Sequence, residues 1–426
     1  MMVSTTRKHR GLVKLPPRVP VGHRHLLQKI FSAEYALATF CCALALVYGI
    51  VPMVIYEFFI PEESFALLSR LTALSIIGMM VGSRLSIFDA RFRPAAARLN
   101  IQPGVFHGTT WVIFAVFLII TFATAPSIPL ISAFQGASSG DLTLERGAFL
   151  KTRQGAEVAL LYISTFLMNT VIPYSIVLLY ATRSRFRHLC ALLFFLFCIS
   201  FLQKTLFLNL VLPLLAYFAI SQRLPRNLAV AWILASVAIV IAGTYLAVGD
   251  IGTDDAGLLG DPSTYLSAAY GASTPLDFLL WRAVAVPVFT ASDTLLVHAE
   301  QFGGQPLMGA TSSLLAALTG HERINIERIV FEHQFGGWND IGNSNAVFIT
   351  DAYINFGFTG TFIIGLMVGQ VFRWFRISRD IGFSSLWPLF AFVLFSAPFI
   401  GMLFSNGFAY MLIHAALIKV KPQAKK

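Results

Sequence analysis

Several ionisable residues sit where a strongly apolar chain should be plain. The run Glu145-Arg146-Gly147-Ala148-Phe149-Leu150-Lys151-Thr152-Arg153 places three cations just ahead of a long apolar stretch. If that run is helical, Arg146 and Arg153 stand one heptad apart and share a face. Paired cations at headgroup level suit a phosphate or pyrophosphate, because a guanidinium offers two parallel donors to its oxygens. Snorkelling to lipid headgroups, or pairing with Glu145 and Glu157, would use the same charges without a ligand. Arg282, beside Trp281, suits an interfacial anchor or a lipid-linked phosphate. Arg70 and Lys204 fall inside apolar blocks, where a cation is a functional candidate by default. For Arg70, snorkelling or pairing with Glu62 or Glu63 is the alternative.

A second concentration of polar groups follows: Gly320-His321-Glu322-Arg323, Glu327-Arg328, Glu332-His333, Trp338-Asn339-Asp340 and Gly342-Asn343-Ser344-Asn345. His321 and His333 lack the His-Glu-x-x-His spacing of a zinc site, so no metal is expected. Most of these charges read as a solvated loop surface. Asp340, Asn343 and Asn345 differ, because they precede an apolar run whose free N–H groups short polar side chains can cap. Such a helix start also favours anions. Asp351 and Tyr353 lie in the first two turns of that run. Asp351 either complements the positive helix end or acts as a general base, a role open to His321 as well. No Ser-His-Asp spacing, Walker A loop, Gly-rich dinucleotide fingerprint or Cys-x-x-Cys pair is present, so no cofactor is implied.

The elements that must position these residues are membrane helices. The chain of 426 residues is 56% apolar and 12% charged, where soluble proteins average about 25% charged. Its mean hydropathy is +0.72. That excludes a secreted domain and an ordinary cytosolic enzyme. The first 33 residues are basic and lack the apolar core of a signal peptide. Cys41, Cys42, Cys190 and Cys198 lie in apolar runs and read as small buried hydrophobes. Six runs suffice to cross a bilayer: 35–60, 64–83, 108–126, 156–181, 228–249 and 346–372. Two blocks, 189–220 and 385–418, are broken by Gln203-Lys204 and by Ser405-Asn406-Gly407. Each reads as a pair of helices, which predicts an all-α polytopic membrane protein of ten spans.

Charge sets the orientation. With both termini cytoplasmic, most Lys and Arg fall in 1–33, 84–107, 182–188, 221–227, 373–384 and from 419 onward, as the positive-inside rule requires. Outside remain Arg146, Lys151, Arg153, Arg282, Arg323 and Arg328. The net charge of +10 is thus an insertion signal, not a nucleic-acid footprint. The organisation reads as a basic segment 1–33, helices 1–7 over 34–249 with an outer loop 127–155, a large outer loop 250–345, helices 8–10 over 346–418, and a basic tail 419–426. A loop of the size of 250–345 should fold and function. Within it, 281–299 reads as an amphipathic helix near the interface, with Asp293 and His298 on its polar side.

The stretch Gly342-Asn343-Ser344-Asn345-Ala346-Val347-Phe348-Ile349-Thr350-Asp351-Ala352-Tyr353-Ile354-Asn355-Phe356-Gly357-Phe358-Thr359-Gly360 resembles O-antigen polymerases and related oligosaccharide repeat-unit polymerases (the Wzy type). There an Asn-bearing turn leads into a helix with an aromatic-x-x-Phe-Gly-x-x-Gly pattern. Gly309-Ala310-Thr311-Ser312-Ser313-Leu314-Leu315 is similar to the family's segment before its large-loop helix, and Lys204 and Arg282 are placed similarly. Asn355 departs from the family, in which an acid is common just before Phe-Gly. The resemblance implies a GT-C-like, metal-independent transferase at the outer face of a bacterial inner membrane. It would join repeat units carried on undecaprenyl pyrophosphate, with lipids and a chain-length regulator as partners and no nucleic acid. Arg146, Lys151, Arg153, Lys204 and Arg282 would bind substrate with Asn343, Asn345 and Tyr353, and Asp351 or His321 would be the base. An O-antigen ligase, with the same donor, and a polysaccharide or lipid transporter (flippase) are the alternatives.

Overall fold

The computed structural model describes residues 26–93, 98–137, 139–150, 153–202, 206–222, 225–248, 276, 279, 285–336 and 342–420. In chain order, α1 is Ala36–Phe58, α2 Glu63–Gly82, α3 Pro103–Thr124, α4 Ser139–Leu150, α5 Val158–Ala181, α6 Arg187–Ser200, α7 Leu208–Ile220 and α8 Arg226–Val248. There follow α9 Val286–Phe302, α10 Ser313–Thr319, α11 Ile326–Phe335, α12 Phe348–Ile377, α13 Ile381–Leu394, α14 Phe399–Phe404 and α15 Phe408–Leu417. Short helices at Leu26–Ile30, Asp89–Phe92 and Pro129–Phe134, a 3-10 turn at Gly155–Glu157, and two three-residue strands, β1 Leu99–Ile101 and β2 Ile418–Val420, complete the described elements.

The protein is mostly helical and membrane-embedded. Six helices, α1, α2, α3, α5, α8 and α12, are long and apolar enough to cross a bilayer, and they coincide with the six long apolar runs. The 189–220 block divides into α6 and α7 at its polar break. The 385–418 block divides further than expected, into α13, α14 and α15. Pro398, which has no N–H to donate, stops the chain before α14, and Gly407 turns with φ 78° before α15. The all-α expectation also meets one addition: β1 and β2 pair in parallel, Leu99 opposite Ile418. Their spans are too short for the apolar pattern to reveal them.

Proline shapes α1. Pro52 cannot donate to the carbonyl of Tyr48, and a π-helical segment, Ala45–Ile50, precedes it. From α2, Thr72 Oγ1 donates to Tyr48 O at 2.9 Å and Ser69 Oγ to Gly49 O at 2.7 Å. The carbonyls beside the break thereby keep partners away from water.

The centre of the fold is a seam between α2 and α12. Gly78 and Gly82 on one helix meet Gly365 and Gly369 on the other. A Cβ on Gly82 would lie 2.0 Å from Leu366 O, and one on Gly369 2.1 Å from Met79 O. This is the small-xxx-small device by which backbones approach without side chains between them. The seam fixes α2 and α12 in parallel and gives the bundle two distinguishable ends. At one, Arg373 makes a paired contact with buried Asp89, Nε 3.0 Å from both carboxylate oxygens and Nη2 2.6 Å from Oδ2. Trp374 stacks on Phe92 there at 4.6 Å. This is also the end of the strand pair. At the other, the starts of α2 and α12 carry α9, α10 and α11.

α12 is not one straight rod. Gly357 stands at φ 65°, ψ −160°, outside helical values and in a region essentially reserved for glycine. A Cβ there meets nothing within 4 Å, so any loss on substitution is one of backbone conformation. Gly357→Ala is expected to lower stability by about 1–3 kcal/mol, read as a fall in melting temperature in detergent.

Candidate functional site

The site begins with the interruption of α12 at Gly357. The carbonyls of Ile354 and Asn355, just before it, turn to the large loop: Leu307 N donates to Ile354 O at 2.9 Å and Met308 N to Asn355 O at 3.0 Å. The segment 307–311 is thus laid along the first turns of α12. Asn355, buried among them, accepts from Gly309 N at 2.9 Å. Its amide donates to Thr311 Oγ1 at 2.8 Å and reaches Asp351 O at 2.8 Å and Asp351 Oδ1 at 3.1 Å. Thr311 Oγ1 donates to Asp351 Oδ1 at 2.8 Å. Two donors therefore fix one carboxylate oxygen. Among the described residues Oδ2 accepts no hydrogen bond.

That carboxylate lines a small cleft, with room for about one water, together with Thr294, Ile326, Glu327, Ser344, Ala346, Ile354 and Pro398. Besides α12, four parts of the chain contribute. α9 brings Thr294, and is anchored to α2 by Ser64 Oγ and Ser292 Oγ at 2.7 Å and by Phe65 edge-on to Phe289. α11 brings Glu327, its start capped by Asn325 accepting from Arg328 N. Segment 342–347 brings Ser344, whose N–H donates to Glu327 O at 2.9 Å and whose hydroxyl donates to Gln334 Oε1 at 2.7 Å. Gln334 in turn donates to Asp293 Oδ2. Pro398 comes from the start of α14. The pocket thus holds two carboxyls, Asp351 and Glu327. Burial pushes the Glu327 carboxyl above the ordinary carboxylate range, with its own N–H and the Arg323 charge acting the other way.

The remaining candidates are placed as follows. His321 is exposed, just after the Gly320 that ends α10, and does not line the pocket. Asn343 and Asn345 are exposed and flank the buried Ser344, as alternate residues of an extended segment do. Neither caps α12. The cap position is Val347, without a side-chain bond, because the chain enters the helix extended. Asp340 lies outside the described residues. Tyr353 is half-buried, its ring edge-on to His298 at 6.2 Å and to Phe358 at 5.2 Å. The helix expected over 281–299 is observed as α9, but it is buried, not laid on a surface. Asp293 and His298 face inward, the carboxylate against Gln334 and the imidazole Nε2 at 2.8 Å from Gln305 O. Satisfied polar groups made a core helix look amphipathic.

The cations divide differently from the sequence pattern. Arg153 itself lies outside the described helices, so it does not share a helical face with Arg146 of α4. Arg146 Nε donates to Leu142 O at 3.2 Å. Arg153 is buried, and its guanidinium is occupied within the protein. It donates to Phe149 O at 2.7 Å, Thr121 O at 3.0 Å, Glu157 Oε2 at 2.9 Å and Thr124 Oγ1, tying the ends of α3, α4 and α5 together. Arg70 is exposed, 3.8 Å from Glu63. Lys151, Lys204 and Arg282 lie outside the described residues. None of the described candidate cations lines the pocket.

Sequence reasoning missed Glu327, which it left among solvated charges, and the Thr311–Asn355 pair that holds Asp351. The signal for the latter was the spacing of Asp351 and Asn355, which puts them on one face of a helix. Set beside family models, curated proteins and solved structures, the chain matches none of them.

Proposed function

We propose that this chain is a polysaccharide polymerase, a membrane glycosyltransferase that moves a growing glycan from a polyprenyl pyrophosphate carrier to a lipid-linked repeat unit. The reading places ten crossings in the membrane, both termini in the cytoplasm, and the end carrying α9–α11 on the outer face of a bacterial inner membrane. The observation that carries it is the Asp351 carboxylate, held on one oxygen by Thr311 and Asn355 and without a partner among the described residues on the other, in a cleft at the start of a spanning helix. A fixed base with an open oxygen is what deprotonation of an alcohol needs.

The step balances without a nucleotide. The acceptor hydroxyl oxygen forms a bond to the anomeric carbon of the donor, and the bond from that carbon to the pyrophosphate breaks. The hydroxyl proton passes to Asp351. In this reading Arg146, Lys151, Lys204 and Arg282 are the cations that meet the leaving diphosphate. Arg153 braces the ends of α3, α4 and α5. Asp351 is preferred to His321 as the base, since it lines the pocket. An O-antigen ligase would use the same chemistry on a different acceptor.

A transporter is the second reading, favoured by one observation. Asn209 donates to Asn169 at 2.8 Å and Asn169 to Asn406, joining the breaks at α7 and α15 to a π-helical segment of α5, Leu167–Val171. Interrupted helices that meet on polar groups are a transporter device. Incubation of the purified protein with a defined lipid-linked repeat unit separates the two. The polymerase yields a ladder of longer chains on a gel, and the transporter leaves the unit unchanged.

A further inference from the structure

Counting along α12 sets the depth of part of the large loop. Arg373 is paired with Asp89, and Arg93 lies 3.8 Å from the same carboxylate. Such a cluster of charges belongs at or beyond the edge of the hydrocarbon. From Arg373 back to Asn355 are eighteen residues, about 27 Å of helix at ~1.5 Å per residue. The hydrocarbon is ~30 Å thick, and any tilt of α12 shortens the climb. Ile354 and Asn355 therefore stand at or just inside its opposite edge. Leu307 N and Met308 N donate to their carbonyls, so segment 307–311 is held at that depth.

α10 is tied to this segment. Leu315 packs on Gly309, where a Cβ would lie 2.9 Å from that of Leu315. Ala316 is buried, and Ile324 N returns to Ala310 O at 2.9 Å. The other face of α10 is apolar and open. Leu314 and Leu318, one turn apart, are both exposed, Leu318 by 74%. Met308 is exposed on the docked segment, and Phe358 begins the exposed apolar side of α12 that continues through Ile363 and Met367. The sequence of α10, Ser313–Thr319, carries no charge, while the exposed run His321-Glu322-Arg323 follows its closing Gly320. An apolar face that gives way to charged groups at this depth has the make-up of an interfacial segment.

We propose that α10 and Met308 anchor the large loop in the bilayer. Met308, Leu314 and Leu318 enter the acyl chains of the leaflet at that end, and His321-Glu322-Arg323 stands among its headgroups. The partner is bulk lipid, as it is for the exposed side of α12, with which this face shares its depth. The inference rests on the chain's embedding in a membrane and not on the transferase reading. Its consequence is that Thr311, which fixes Asp351, is carried by a loop seated in the leaflet and not by one standing clear of it.

The test uses the full-length protein in lipid nanodiscs, where both faces meet the solvent. Cys41, Cys42, Cys190 and Cys198 are replaced by alanine, and a bimane label is placed on Leu318→Cys or, for comparison, on Glu322→Cys. Brominated acyl chains are expected to quench the label at 318 several-fold more than the label at 322, and aqueous iodide the reverse. A label at 318 that iodide quenches as strongly as the label at 322 puts the face in water and overturns the inference. A label at 318 that neither quencher reaches puts the face under protein and overturns it too. If the cysteine-free protein fails to fold, p-benzoylphenylalanine in place of Leu318 in the otherwise unaltered chain decides. Photoadducts to lipid support the anchor, and adducts to protein alone, or none, overturn it.

Discussion

Asp351→Asn is expected to cut glycan elongation by about 10²–10⁴-fold while the protein inserts and melts as before. The substitution removes the proton acceptor and little else. An Asn side chain keeps an oxygen for the Thr311 hydroxyl, which donates to Asp351 Oδ1 at 2.8 Å, so the loop segment 307–311 should stay docked on α12. Elongation of a lipid-linked repeat unit measures the first half of the expectation and thermal melting in detergent the second. Full activity in the Asn variant would mean that the acceptor proton leaves by another route, with exposed His321 the next group to test.

Gly369→Leu is expected to have the largest structural effect in the molecule. The Cβ alone would fall 2.1 Å from the carbonyl oxygen of Met79, a backbone atom that no rotamer change can move aside. Filling a packed interior ordinarily costs about 1–3 kcal/mol, and a main-chain obstacle places this case at the upper end or beyond. The readouts are a lower melting temperature and faster proteolysis in detergent. Gly108→Leu is the control, because a Cβ at Gly108 in α3 meets nothing within 4 Å. If both variants melt alike, the α2–α12 seam does not hold the bundle together. The pair also separates causes: Asp351→Asn removes activity from a folded protein, whereas Gly369→Leu removes the fold.

The apolar runs located the six long helices because crossing a bilayer demands a length of hydrophobic chain that few other structures need. The same signal located the break between α6 and α7. It failed over 281–299, where Asp293 and His298 suggested a wet face; both are buried, as is Ser292, which bonds to α2. Those groups find partners on α11, α2 and the loop at 305, and polarity along a sequence does not say whether a partner awaits. Asp351 was legible as an acid near a helix start. Glu327 was not, since its neighbours in sequence are charged and its neighbours in space come from α9, α12 and the turn before it. Arg146 and Arg153 looked like one basic face because a heptad joins them only on one helix, and Arg153 stands outside the described helices. The glycine pairs of α2 and α12 were not read from the sequence, since glycines four apart gain meaning only when the second helix is known to lie against the first.

The parallel pairing of Leu99–Ile101 with Ile418–Val420 bears on the order of assembly. A ribosome delivers the first of these segments early, ahead of α3, and the second only after α15 has been made. Until then the backbone groups of 99–101 that face the missing strand must be served by water or headgroups. The latch between the two can close only late in synthesis. A nascent chain halted after α15 is therefore expected to sit in the bilayer with its helices inserted and this fastening still undone.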